Sequence, residues 1–412
     1  MAIISIILLC LIVCGEGQAN SEPLLFMKAE RSGGGFAYVD STQSYKIEIG
    51  GFDDGKLRSE ISLSSLRNRG GFTIKLPERN PQSSITSPDS GCTLELHNAS
   101  CTNRFYMLSN HDFEWEIILN ERPDTDTLQF PLESRNLIFY YQDPAVFKAH
   151  ENEYDFAENV PGSYAAYYTK ASGNGSKSGK AFHIYRPFAQ DNSGEKIWCD
   201  LVIDTLQGLL SIAMPAEFLA DAKYPVIIDP TFGCTTRGAT GMHMDTNNFR
   251  HQVNYGGHSD ADGYMQTACI CGYRTSSGAV CSVTVAVYSY AATLDSCRKI
   301  SVTNKMPVTR VSINPDSAEW ISAAISGNLQ DDKEYVVSWQ GWESCDYCLR
   351  ICADYTGQWG YERRSNYADW GTNNNLAGYQ SNGYRYSIYV EYEDSTAQGD
   401  PYIRSRKVKR RY

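Results

Sequence analysis

Short segments of alternating apolar and polar residues, cut at close intervals by Gly, Asn, Asp and Ser, run through nearly the whole chain. A period of two leaves few architectures open, because it places alternate side chains on one face of a strand. Tyr45-Lys46-Ile47-Glu48-Ile49, Phe113-Glu114-Trp115-Glu116-Ile117 and Leu209-Leu210-Ser211-Ile212-Ala213 read this way in the first half. In the second half, residues 282–288 put their valines on one face, and residues 384–392 read as one long terminal strand. Residues 329–335 form a turn that feeds a strand over 335–339. Helical spacing is rare, and the best case is 215–223, opened by Pro215 and closed by Pro225. A chain of 412 residues is long enough for two or three domains. Near Asp229-Pro230-Thr231-Phe232-Gly233 cysteines become denser and a Gly/His/Asp/Asn-rich linker runs to about Gly263. The expected fold is therefore mainly β: an N-terminal β-rich module over 20–232, then a C-terminal jelly-roll-like β-sandwich over 233–395. A basic tail, 396–412, follows.

The first nineteen residues read as a signal peptide, with an apolar run from Ile3 to Val13 and small residues up to Ala19. A buried first strand or a retained anchor is the alternative. No apolar run reaches the roughly 18–20 residues of a membrane-spanning helix. Export would make disulfides available. Of 13 cysteines, Cys10 and Cys14 leave with the signal, and the remaining eleven cannot all pair. Cys92 and Cys101 close a short loop and are expected to bridge. Cys199, inside an apolar strand pattern, is the expected buried orphan. Cys234, Cys269, Cys271, Cys281, Cys297, Cys345, Cys348 and Cys352 supply enough sulfurs for four bridges, in any of about a hundred connectivities. Asn98 and Asn174 lie in glycosylation sequons.

Charge narrows the function. Lys and Arg total 37 against 48 Asp and Glu, a net charge of −11, which argues against general or specific nucleic-acid binding. Six basic residues crowd into 404–412, a tail suited to an anionic partner. The nucleophile elbow, the paired-histidine zinc helix and the phosphate-binding glycine loop are missing from the sequence. His243, His251 and His258 with Asp245, Asp260 and Asp262 could ligate a metal only if the linker folded around it. The spacing favours a solvated linker, so no metal and no cofactor are expected. Asp260-Ala261-Asp262-Gly263 lacks the twelfth-position Glu of a calcium loop.

The strongest binding signal is aromatic. Residues 339–392 hold four Trp and nine Tyr. Tyr384, Tyr386 and Tyr392 alternate with the terminal strand and read as core. Trp359, Tyr361, Tyr367 and Trp370 lie in Gly/Asn-rich sequence beside Asn373 and Asn374. Flat rings next to amides suit the apolar face and hydroxyls of a sugar, so these six are candidate glycan-stacking residues. A satellite core of packed loops is the competing reading.

Four ordered strings carry a family resemblance: Asn136-Leu137-Ile138-Phe139-Tyr140-Tyr141-Gln142, Glu158-Asn159-Val160-Pro161-Gly162-Ser163-Tyr164-Ala165, Gly179-Lys180-Ala181-Phe182-His183-Ile184-Tyr185-Arg186-Pro187 and Tyr224-Pro225-Val226-Ile227-Ile228-Asp229-Pro230. With the ending Tyr386-Ser387-Ile388-Tyr389-Val390-Glu391-Tyr392, the chain resembles a largely uncharacterised β-rich module of bacteriophage and prophage structural, tail-associated proteins over roughly 110–392. That resemblance implies a structural role and supplies no catalytic residues. The signal peptide, the many cysteines and the basic tail depart from the pattern. The expectation is an exported, non-catalytic structural or adhesive protein, secreted or virion-associated, whose partners are surface glycans or neighbouring subunits. A secreted carbohydrate-binding protein is the alternative, and a glycan-processing enzyme the third reading.

Overall fold

A computed structural model describes residues 27–28, 36–40, 45–50, 52–53, 56–57, 59–65, 70–77, 85–87, 92–97, 101–108, 112–149, 151, 154–169, 179–233, 237–243, 250–258, 262–290, 297–330, 333–343, 348–357, 360–364, 380–381, 383–394 and 410–411. The chain is mainly β, in several antiparallel sheets. Segment 1–19, both sequons, Cys234 and Cys345 lie outside the described residues.

Two apolar cores divide the chain. The first gathers residues from Tyr45 to Phe232 between an eight-stranded path and an eleven-stranded sheet. Strand Phe113–Leu119 explains why: Phe113, Trp115, Ile117 and Leu119 face the core, where Phe113 lies 5.7 Å from Phe232 and Trp115 5.0 Å from Phe130. The Trp115 indole has no solvent exposure, and its Nε1–H donates to Asn103 Oδ1 at 2.9 Å. Burying this ring without leaving its N–H unpaired makes the position sensitive to substitution. The second core gathers residues from Met242 to Tyr392 between sheets of nine and seven described strands, a sandwich filled by Val283, Val285, Trp339, Ile351 and Tyr386.

The helix expected over 215–223 is Ala216–Asp221, with Pro215 at its cap and Phe218 and Leu219 buried. A further helix, Pro144–Ala149, gave no strong periodic signal because only Phe147 is buried. The passage read as a linker contains strands instead. Thr240–His243 pairs with Leu349–Tyr355, and Arg250–His258 runs between Glu334–Glu343 and Gly360–Arg364. Pairing on both sides overrides the loop-like composition of 250–258. Strand Tyr154–Phe156 leaves the first half to pair with Thr240–His243, while Thr231–Gly233 stays in the first half's sheet.

The terminal strand is two strands broken at Ser387. Tyr384–Tyr386 pairs with Ala353–Tyr355 positions, and Ile388–Asp394 pairs with Gly263–Arg274. Ser387 is the corner: its N–H donates to Cys352 O at 2.8 Å, and its carbonyl accepts from Cys271 N at 2.9 Å. Its Oγ also accepts from Gly238 N–H. In the basic tail, Arg410–Arg411 adds to the sheet as a short strand opposite Glu391 and Tyr392. That backbone pairing differs from a wholly free tail.

Two disulfide expectations are corrected. Cys92 is a free thiol. The ladder that pairs Tyr106 with Thr93 and Thr102 with His97 puts Cys92 at the open end of the hairpin and Cys101 at the turn. About six residues of strand, roughly 20 Å, separate them, against the ~7 Å limit for a bridge. Cys271 and Cys352 are also thiols, with Sγ atoms 3.4 Å apart, so the second half does not carry all four bridges. The Ser387 backbone hydrogen-bonds to both residues, between the two strands at that point. Cys348 is disulfide-bonded, whereas Cys269, Cys281 and Cys297 are buried in the sandwich. Cys199 is a buried free thiol whose pKa is pushed up to about 12 by burial.

Replacing Trp115 with Ala should cost about 3–5 kcal/mol in a denaturant titration, the usual range for a fully buried large aromatic. A loss below about 1 kcal/mol would show that this ring does not organise the first core.

Candidate functional site

The two halves meet at strand Leu349–Tyr355, and the groups that meet there are polar. Strands Tyr164–Tyr168 and Lys180–Ile184 present them from the first half. Their register runs Ala165 to His183, Ala166 to Phe182, then Tyr167 to Lys180, skipping Ala181. Residues three apart on a regular strand point to opposite faces; this bulge brings Lys180 and His183 to the same side.

Lys180, His183, Ser163 and Asp354 have no solvent exposure. Lys180 Nζ lies 2.9 Å from Asp354 Oδ2 and 3.0 Å from Oδ1. Tyr167 OH donates to Oδ2 at 2.7 Å and Ala239 N–H to Oδ1 at 3.0 Å. His183 Nδ1 is 3.0 Å from Lys180 Nζ, and its Nε2 is 2.8 Å from Ser163 Oγ. An ammonium can only donate, so Nδ1 accepts and the Nε2–H donates to Ser163. Arg385, opposite Asp354 in the ladder, places its guanidinium 4.3 Å from the Tyr167 ring centre.

These contacts set the charges. Burial works against ionised Asp354, but the Lys180 ammonium and the Ala239 N–H outweigh it and hold its pKa below the usual carboxylate value. Burial lowers the Lys180 pKa against the opposing pull of Asp354. His183 is driven well below the ordinary imidazole value, first by burial and then by Lys180. A neutral, sealed imidazole 3.8 Å from the carboxylate does not make a Ser–His–Asp relay for an external substrate.

Other contacts extend the seam. Gln142, fully buried, donates through Nε2 to Tyr355 O at 2.8 Å and accepts from Tyr355 N–H at 3.0 Å, like one rung of a strand. Asp155 Oδ2 accepts from Arg350 Nε at 2.7 Å and from Tyr273 OH at 3.0 Å.

A second acidic group lies on the outer side of the first half's sheet. Glu114 is buried, accepts from Thr231 Oγ1 at 3.0 and 3.1 Å, and has its pKa pushed up to about 10 by burial and by a hydrogen bond with Asp229. The carboxyl therefore keeps its proton at neutral pH. Nearby, Arg104 joins Glu95 and Glu116 at 2.9 Å each, and Tyr106 OH donates to Glu116 at 3.0 Å. A cavity of about 360 Å³ opens at the far end of that strand, beside Leu119, Glu121, Asp124 and Phe130.

Of the sequence-predicted glycan residues, Trp359, Tyr367, Trp370, Asn373 and Asn374 lie outside the described residues. Tyr361 sits in strand Gly360–Arg364 opposite Val253 and Ser381. Among the described residues, no group of three or more His, Cys, Asp or Glu side chains is arranged to hold a metal ion. Sequence reasoning missed Lys180, His183 and Asp354. The signal available was a lysine and a histidine inside the otherwise apolar Lys180–Ile184, and their partner lies 174 residues away.

No protein-family model matches the chain, and no curated protein sequence does either. Among solved structures, an exo-β-1,3-galactanase from Phanerochaete chrysosporium, with galactose, is similar at a TM-score of 0.16 and 8% identity, covering 78% of this chain and 94% of its own. So low a score bears on neither fold nor activity.

Asp354→Ala should destabilise the protein by about 3–5 kcal/mol, because it strands a buried ammonium and two donors. Equilibrium unfolding that matches the unsubstituted chain would exclude this. For Glu114 the folded state holds a proton that the unfolded chain releases above its ordinary value. Its stabilising contribution is complete below that value and is lost as pH rises toward about 10. Glu114→Gln should therefore raise the thermal midpoint more at pH 8 than at pH 5, and equal shifts at both would contradict the buried proton.

Proposed function

We propose that the chain is an exported, non-catalytic structural or adhesive protein, a component of a virion or of a surface appendage. The observation that carries this reading is the polar seam around Asp354. It couples two β units through side chains without solvent exposure and spends its serine and histidine on internal hydrogen bonds. Such a joint suits a part that holds shape under load rather than one that opens for a substrate. The family resemblance of 110–392 points the same way, and the Gly/Asn-rich aromatic sequence around Trp359 and Trp370 supports a glycan on the receiving surface.

The purified full-length chain should be retained by an insoluble polysaccharide or by a glycan-bearing cell surface and release no soluble sugar from it. Trp359→Ala and Trp370→Ala should each weaken retention by about 1–3 kcal/mol while the thermal midpoint stays within a few degrees. Steady release of sugar with time would overturn the non-catalytic reading. Retention unchanged in both variants would remove the rings from the binding surface.

A further inference from the structure

Lys180 and Asp354 are held at ordinary ion-pair distance, but in a setting sealed from water and ringed by further donors and an acceptor. The amine sits astride the carboxyl group, 2.9 and 3.0 Å from its two oxygens, with neither side chain exposed. Contact at this range in a dry, fixed setting is what makes an intramolecular reaction fast relative to its bimolecular counterpart. The surrounding groups occupy the places that acyl transfer to nitrogen requires. Ala239 N–H points at Oδ1 at 3.0 Å, Tyr167 OH at Oδ2 at 2.7 Å, and His183 Nδ1 waits 3.0 Å from the nitrogen.

We propose that Lys180 and Asp354 join through an intramolecular isopeptide bond, formed by the folded chain itself. The ammonium passes one proton to the carboxylate, leaving a neutral amine beside a neutral acid; removal from water favours this uncharged pair. Burial lowers the lysine's pKa and helps this step, whereas the depressed pKa of Asp354 opposes it. The Nζ lone pair then attacks Cγ. A C–N bond forms, and negative charge gathers on Oδ1, where the Ala239 N–H stabilises it as an oxyanion-hole donor does. His183 Nδ1 takes the second proton from nitrogen and returns it to Oδ2. The Cγ–Oδ2 bond breaks, and Oδ2 departs as water, steadied by the Tyr167 hydroxyl. Ammonium and carboxylate become a secondary amide and one water, with no change of oxidation state and no other reactant.

Lys180 lies in the first half's sheet and Asp354 in the second sandwich, so the bond would convert the seam from a packed interface into a covalent one. The linkage does not depend on what the protein binds. A linked chain that binds no surface leaves it standing and removes the proposed function, and an unlinked chain that binds does the reverse.

The test is mass spectrometry of the full-length protein after reduction and denaturation. The expected result is a branched peptide joining Lys180 to Asp354, one water lighter than its two parts, with tryptic cleavage after Lys180 blocked. Lys180→Arg and Asp354→Ala should each abolish the branched peptide. The unsubstituted chain decides the matter even where these variants fail to fold. Recovery of only linear peptides, cleaved after Lys180 and carrying an unmodified Asp354, would overturn the proposal.

Discussion

A buried carboxylate is the constraint on which the joining of the two halves depends. Asp354 has no solvent exposure, and an ion without water needs protein donors in its place. Lys180 and Tyr167 come from the first half, and Ala239 N–H from the start of the second. No sliding or rotation of one unit on the other keeps all three. The small apolar group beneath the joint, Phe147, Val160, Tyr185 and Ala239, adds burial, whereas the polar contacts set the direction. Apolar area tolerates a range of approaches, while hydrogen bonds to one carboxylate do not.

The chain uses the same functional group in two opposite ways. Asp354, beside a lysine, gives up its proton inside the protein; Glu114, beside Asp229, keeps its own. Burial acts on both carboxyls in the same direction, so the difference lies in the neighbours. One carboxyl fastens two units together, and the other closes the outer side of a single sheet through Thr231.

Period-two alternation made much of the β content legible. Tyr45–Ile49 and Leu209–Ala213 form over the residues where the pattern puts them, and Phe113–Leu119 extends its pattern by two. What alternation could not reveal was which strand lies beside which. Arg250–His258 reads as loop by composition and becomes a strand because it has neighbours on both sides. Residues 384–392 read as one strand and break at Ser387, whose backbone bridges Cys271 and Cys352. Cys92 and Cys101 are near in sequence but at opposite ends of a hairpin. The Lys180–His183–Asp354 group was hidden for a related reason. A bulge at Ala181 changes which side chains share a face, and the third member is supplied by a distant strand.

That distance orders events during synthesis. Asp354 follows Lys180 by 174 residues, which at about 5–20 residues per second is roughly 10–35 s of translation. Over that interval the first half has Lys180 and Tyr167 in place, but not the carboxylate that satisfies them, and Tyr154–Phe156 has no Thr240–His243 to pair with until the early part of the second half is made. Until then the nascent chain presents a strand without its partner and a lysine ammonium that water, rather than a carboxylate, must satisfy. Emergence of the strand that carries Asp354, rather than completion of the first core, is what closes the seam.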